Sequence, residues 1–126
     1  QLGTRVLVAR EGGVHQNYKD AVLAAGDIST VTTGRRFGGN TCRQIKNTFS
    51  RNFIKEEYSP EATAESVAML GAGALRRAAV DGDAKNGSLL CGQIAGLVNK
   101  EQSAAEIIEE IFSEAEELLR GTKFAD

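Results

Sequence analysis

Apolar positions along the chain change period from stretch to stretch, and each change predicts a different element. Residues 1–9, Gln1 to Ala9, place Leu2, Val6, Leu7, Val8 and Ala9 in a β-rich run that reads as one buried strand. A strand cannot satisfy its own backbone donors and acceptors, so this one calls for neighbours that the mostly helical remainder barely supplies. The chain is therefore expected to be a piece of something larger, entered where a sheet or barrel is already under way.

Arg10 to Val14 form a glycine-containing exit loop, followed by a short helix over 15–25 that Gly26 is expected to stop as a left-handed cap. Ile28 to Thr33 are β-branched enough to extend, and glycines at 34, 38 and 39 mark a loop. Cys42, Ile45, Phe49 and Phe53 then recur at helical spacing, with Arg43, Lys46 and Arg51 on the opposite face, which predicts an amphipathic helix. Ser59-Pro60-Glu61 reads as the next helix start: a serine cap, proline at the first position and an acid in the first turn. Ala64, Val67, Ala68 and Leu75 give that segment a small-residue face, and Gly71 and Gly73 permit a break.

Asp81 to Ser88 form a turn. Its aspartates suggest a calcium loop, but the twelfth position from Asp81 is Gly92, where a bidentate glutamate would be needed, so no metal site is assigned. Leu89 to Val98 is apolar on nearly all sides and predicts a helix enclosed by protein. The last helix opens with a capping box of Ser103 and Glu106. It continues along Ile107, Ile108, Ile111, Ala115, Leu118 and Leu119, and is expected to end at Gly121.

With 126 residues and 41% hydrophobic content the chain can build a modest core. No apolar run approaches the ~20 residues of a membrane span, and no leader precedes Gln1, so a cytoplasmic protein without membrane partners is expected. The net charge of -2 hides an asymmetry: residues 1–60 carry nine Lys/Arg against five Asp/Glu, and residues 61–126 carry six against twelve. Cys42 and Cys91 fall on two different predicted helices without metal-ligand spacing and are read as reduced thiols.

No catalytic constellation is complete. A single histidine without paired carboxylates makes acid-base or nucleophilic catalysis by this chain alone improbable, and His15 is read as a capping or packing residue. The Gly3-Thr4 pair is of another kind. Glycine lets a phosphate approach the backbone N–H, and the following hydroxyl can donate to it.

The order Gln1-Leu2-Gly3-Thr4-Arg5-Val6 resembles the Gln-Met-Gly-Thr-Arg-Phe segment of the FMN-dependent nitronate monooxygenase and enoyl-ACP reductase II family. His15-Gln16-Asn17-Tyr18-Lys19 resembles the family's His-Pro-Asn-Tyr-Lys, with Gln16 in place of proline, and Arg43-Gln44-Ile45-Lys46-Asn47 is similar to its Arg-Ala-Ile-Lys-Asn. Gly71 to Leu75 and Gly92 to Val98 match segments of the enoyl-ACP reductase II branch in order.

The resemblance implies a C-terminal part of a TIM (β/α)8 flavoenzyme, a mainly α fragment of an α/β protein. It divides the chain into a late barrel strand and exit loop over 1–14, a small helical domain over 15–87, and helices returning to the barrel over 88–126. It implies contacts of Gln1, Gly3 and Thr4 with the FMN phosphate, and a return of Gly92 and Gln93 to the flavin or substrate mouth. The family's catalytic histidine lies upstream, so no catalytic residue is assigned, and the fragment alone is expected to be inactive.

The implied chemistry is hydride transfer from NAD(P)H through FMN to an enoyl thioester in fatty acid synthesis, or oxidation of a nitronate. Expected partners are the missing barrel portion or a second copy in a homo-oligomer. Arg35, Arg36, Arg43, Lys46 and Arg51 are either a solvated face or a docking surface for acidic acyl carrier protein. Nucleic acid is not expected, because the chain has no recognised binding motif and is acidic overall. The rival reading is a helical, dimeric interaction module that binds no flavin.

Overall fold

The computed structural model describes residues 2–121, about half of them helical, around a small antiparallel sheet. Strand β1 (Thr30–Thr33) pairs with β2 (Cys42–Ile45), Thr30 opposite Ile45 and Thr33 opposite Cys42. The β-branched run extends as expected, and the loop between the strands turns through Gly34 and Gly38 at φ 80° and 65°.

Leu89 to Cys91 join β2 on its free side. The Ile45 N–H donates to the Leu89 carbonyl at 3.0 Å and the Cys91 N–H to the Arg43 carbonyl at 3.1 Å. The helix predicted over Leu89 to Val98 is thus corrected: its first residues are extended, and only Gln93–Leu97 coil, as a 3₁₀ turn. Nor is the segment enclosed throughout, since Ile94 and Leu97 are exposed while Leu89, Ala95 and Val98 are buried.

The helix predicted from Cys42 is corrected in the same way. Helix α3 is Thr48–Glu57, and Asn47 fixes its start: the Asn47 side chain accepts from the Ser50 N–H at 2.9 Å, and the Ser50 hydroxyl accepts from the Asn47 N–H at 2.9 Å. In a strand, residues three apart point to opposite faces. Ile45 therefore joins the core with Leu89 and Cys91, while Cys42 and Gln44 face a cavity on the other side. Neither cysteine lies on a helix, and both thiols are free.

Residues 2–9 do not form the strand expected of the first nine residues; Gln1 lies outside the described residues. Gly3–Leu7 is a short helix, here α1, closed by the Val6 N–H on the Leu2 carbonyl and continued by a turn from Ala9 to Val6. Its β-branched residues favour extension, but no strand among the described residues runs beside it, and local bonds satisfy the backbone instead. Thr4 is its buried position, and Val8, four residues on at its C-terminal cap, is buried with it.

Helix α2 (Gln16–Leu23) follows His15 as its cap. It stops at Ala24, and Gly26 does not adopt the left-handed conformation expected of it. Gly26 instead lies against the 3₁₀ turn, where a side chain on Gly96 would come within 2.8 Å of the Gly26 carbonyl carbon. Helix α4 (Ala64–Gly71) is capped by Thr63 with Ser66, not by Ser59; Ser59 to Glu61 form a turn that ends α3. The break before α5 (Ala74–Ala79) occurs where the glycines predicted it, with Gly73 at φ 70°.

The Ser103–Glu106 box opens α6 (Ala104–Gly121) as expected, and the helix still continues at Gly121, the last described residue. Arg5 docks it, donating to the Lys100 carbonyl at 3.1 Å and to the side chains of Gln102 and Glu110. Hydrogen bonds from Lys100 and Gln102 hold the Glu110 carboxyl below its usual range. Of the apolar face only Ile107 is buried; Ile108, Phe112, Leu118 and Leu119 are exposed. No helix among the described residues is long and apolar enough to cross a membrane.

Candidate functional site

Two segments that the sequence singles out 88 residues apart meet directly. The Gly92 N–H donates to the Thr4 hydroxyl oxygen at 2.7 Å, and a side chain at position 92 would stand 3.1 Å from that oxygen. Accepting this bond leaves the Thr4 hydroxyl proton for another acceptor. Gly3 lies beside it, exposed, and a side chain there would meet nothing within 4 Å. Gln93 is exposed at the start of the 3₁₀ turn, and Gln1 lies outside the described residues.

This arrangement fits an anionic group. A helix start leaves its first amides without intrahelical acceptors, and here α1 has no side-chain cap and no acid in its first turn.

The second motif proves architectural. His15 accepts from the Asn17 N–H at 3.1 Å, as its capping role required, and its ring would be struck at 2.5 Å by any side chain on Gly82. Asn17 donates to the Gly82 carbonyl at 2.8 Å and the Tyr18 hydroxyl to the Leu90 carbonyl at 2.6 Å. Burial raises the Tyr18 phenol above its ordinary range. Lys19, buried, donates to the carbonyls of Ala9 and Arg10 at 2.7 and 3.1 Å. One short helix thus ties the end of α1 to the loop that carries Leu90 toward Gly92.

A second feature was not visible in the sequence: a cavity of about 630 Å³ between the sheet face bearing Thr33, Cys42 and Gln44 and the helices α3, α4 and α5. Gln44 donates to the Thr33 hydroxyl at 2.8 Å and accepts from the Ser88 hydroxyl at 3.0 Å, so its buried amide is satisfied within the wall. Glu57, 1% exposed, accepts from the Gly34 and Arg36 amides at 3.1 and 2.9 Å. Arg36 in turn donates to the carbonyls of Glu57 and Ser59. The one sequence signal for this group was the acid at the end of an apolar helix face.

Cys91 lies on the opposite face of the sheet from the cavity, where burial pushes its thiol up to about 11. It is protonated at neutral pH and unsuited to nucleophilic work.

The nitronate monooxygenase family profile matches residues 1–114. The chain belongs to the nitronate monooxygenase family. The resemblance carried by the four motifs is therefore sound, and both the Thr4 and the Gly92 segments lie inside the matched region.

Among solved structures, this nitronate monooxygenase family chain is similar to FabK from Thermotoga maritima. Identity is 34% and the TM-score 0.80, over 94% of this chain and 38% of that one. It is similar also to the FabK (M276A) mutant from Thermotoga maritima, at 32% identity and TM-score 0.68, over 94% of this chain and 34% of that one. The chain thus spans well under half the length of either structure. Both comparisons support a family of FMN-dependent oxidoreductases.

Proposed function

We propose that this chain forms the phosphate side of an FMN site and the helical cover beside it, in an oxidoreductase of the enoyl-ACP reductase II type built on a TIM barrel. The observation that carries the reading is the 2.7 Å bond from the Gly92 N–H to the Thr4 hydroxyl, which joins the two segments that the family resemblance assigns to the flavin. Bound FMN would supply the hydride-transferring group. This chain's residues hold and orient it: the α1 amides and the Thr4 hydroxyl bind phosphate, and Gly92 fixes the hydroxyl. Similarity to FabK favours enoyl thioester reduction, while the family profile leaves nitronate oxidation as the alternative.

Titration of the chain with FMN, followed by flavin fluorescence with sedimentation in parallel, tests this reading. Gly3→Val is expected to keep the far-UV circular dichroism of the parent, because nothing lies near its side chain. It should weaken FMN at least about tenfold by blocking charge-assisted hydrogen bonds to phosphate. Equal FMN affinity in both proteins would refute the phosphate assignment. A stable dimer with no flavin binding would favour the interaction module, for which the exposed strip of Leu2, Val6, Ile108 and Phe112 provides a surface.

For the basic residues we propose docking of acidic acyl carrier protein, with a solvated surface as the alternative. Arg36 is occupied with backbone carbonyls, Arg43 donates to the Thr30 hydroxyl and Arg35 to the Thr32 hydroxyl, so the exposed positions that remain are Lys46 and Arg51. They do not lie on one helix face: Lys46 precedes α3 and Arg51 lies within it. The double variant Lys46→Glu, Arg51→Glu is expected to slow carrier-protein association about tenfold at low salt in stopped-flow, with little change at high salt. An unchanged rate at low salt would return these residues to a solvated surface.

A further inference from the structure

We propose that Phe37 is a movable gate on the cavity between the sheet and helices α3 to α5, and that Arg36 is the latch that holds it over the mouth. Residues 34–41 join β1 to β2 and run along the cavity rim, where Phe37, Gly39 and Asn40 line it together with Cys42 from the sheet. Whatever enters the cavity on this side passes the Phe37 ring.

The base of this connection is fixed from several directions. Glu57, at the end of α3, accepts from the Gly34 and Arg36 amides on its two carboxylate oxygens, and the Thr41 hydroxyl donates to the Gly34 carbonyl at 3.2 Å. A side chain on Gly34 would stand 2.7 Å from the Asn40 carbonyl oxygen, so the two arms of the loop close on each other there. The tip is held by nothing comparable. Gly38 turns it at φ 65°, and a side chain on Gly38 or Gly39 would meet nothing within 4 Å. Among the described residues no hydrogen bond ties residues 37–40 to the helices across the cavity. A pinned base with a glycine tip is the construction of a flap, able to move without disturbing the sheet.

Arg36 decides where the flap rests. Its guanidinium donates to the Glu57 and Ser59 carbonyls at 2.8 and 2.7 Å, where the end of α3 leaves carbonyls without intrahelical donors. The same guanidinium lies 5.0 Å from the centre of the Phe37 ring, over its face. The ring is thus clamped between a cation bonded to α3 and the cavity it lines. Releasing Arg36 frees Phe37 to swing outward about Gly38. The gate sorts entrants by size and does not depend on the flavin assignment.

Cys42 serves as a native reporter. It is half-buried and lines the cavity, whereas Cys91 is buried on the opposite face of the sheet and marks any opening of the whole fold. The test is alkylation of the full chain with N-ethylmaleimide and with the bulkier, uncharged pyrene maleimide, the rate at each cysteine being read by peptide mass spectrometry. Phe37→Ala is expected to raise the Cys42 rate about tenfold with the pyrene reagent and by less with the small one, since the ring excludes by size. Arg36→Met keeps the ring and an apolar stem but loses the latch, and should raise the Cys42 rate about tenfold with both reagents by shifting the flap toward its open position. The Cys91 rate should stay within about twofold of the parent in both variants.

A Cys42 rate unchanged in both variants, or one that rises in step with Cys91, would overturn the gate. A rise in Phe37→Ala without one in Arg36→Met would make the ring a fixed part of the rim and overturn the moving flap.

Discussion

Lys19→Met is expected to lower the unfolding free energy by about 3 kcal/mol, a large share of the stability of a domain this size. Lys19 is 3% exposed, and its ammonium is shared between the Ala9 and Arg10 carbonyls at 2.7 and 3.1 Å, with Glu101 at 3.7 Å. Methionine fills similar space but leaves those carbonyls without the charge-assisted bonds that replaced water. Glu101 is about a quarter exposed, so Glu101→Gln is expected to cost under about 1 kcal/mol. Urea denaturation of the two variants separates the contributions. Equal losses would mean that the ion pair, not the carbonyl anchoring, is what matters.

Gly87→Ala should be comparably damaging for a steric reason. A methyl group at this position would lie 2.5 Å from the Ala78 nitrogen, 2.6 Å from the Asp83 oxygen and 2.7 Å from the Ala78 methyl, and two of those atoms are backbone. Neither neighbour can yield alone. The Gly87 N–H is bound to the Asp83 carbonyl at 2.9 Å, the Gly87 carbonyl accepts from Asn47 at 2.8 Å, and the Ser88 N–H is bound to the Ala74 carbonyl. Any shift therefore strains the α3 cap and the seat of α5 together.

A loss of about 3 kcal/mol, with a melting temperature lower by about 10 °C, is expected. Gly13→Ala is the control: nothing lies within 4 Å of its side chain, and its stability should change by no more than about 0.5 kcal/mol. If Gly87→Ala melted like Gly13→Ala, the close packing of this turn on α5 would be wrong.

Such glycines show how far the sequence could be read. The break between α4 and α5 was legible because Gly73 answers a purely local demand, a left-handed residue at a helix junction. Gly26 looked like the same device, yet its role is to let the 3₁₀ turn approach, and that neighbour lies seventy residues away. The Thr4 and Gly92 segments were recognised as motifs, but their contact depends on the third segment of the sheet delivering Gly92 to α1.

The sequence by itself determined what short-range chemistry decides: the Ser103–Glu106 cap of α6, the extension of Thr30 to Thr33, the glycine loop after them, and His15 as a cap. Its ordered motifs also determined the family. Tertiary structure decided the rest, because residues 1–9, 42–47 and 89–98 carry patterns that either a helix or a strand could use. Extended backbone is stable only where a partner supplies hydrogen bonds. Cys42 to Ile45 found partners on both sides and extended, whereas Gly3 to Leu7 found none and coiled. The cavity belongs to no segment. It exists because small residues on α4 and α5 are held opposite one face of the sheet, an arrangement fixed only once the whole chain has packed.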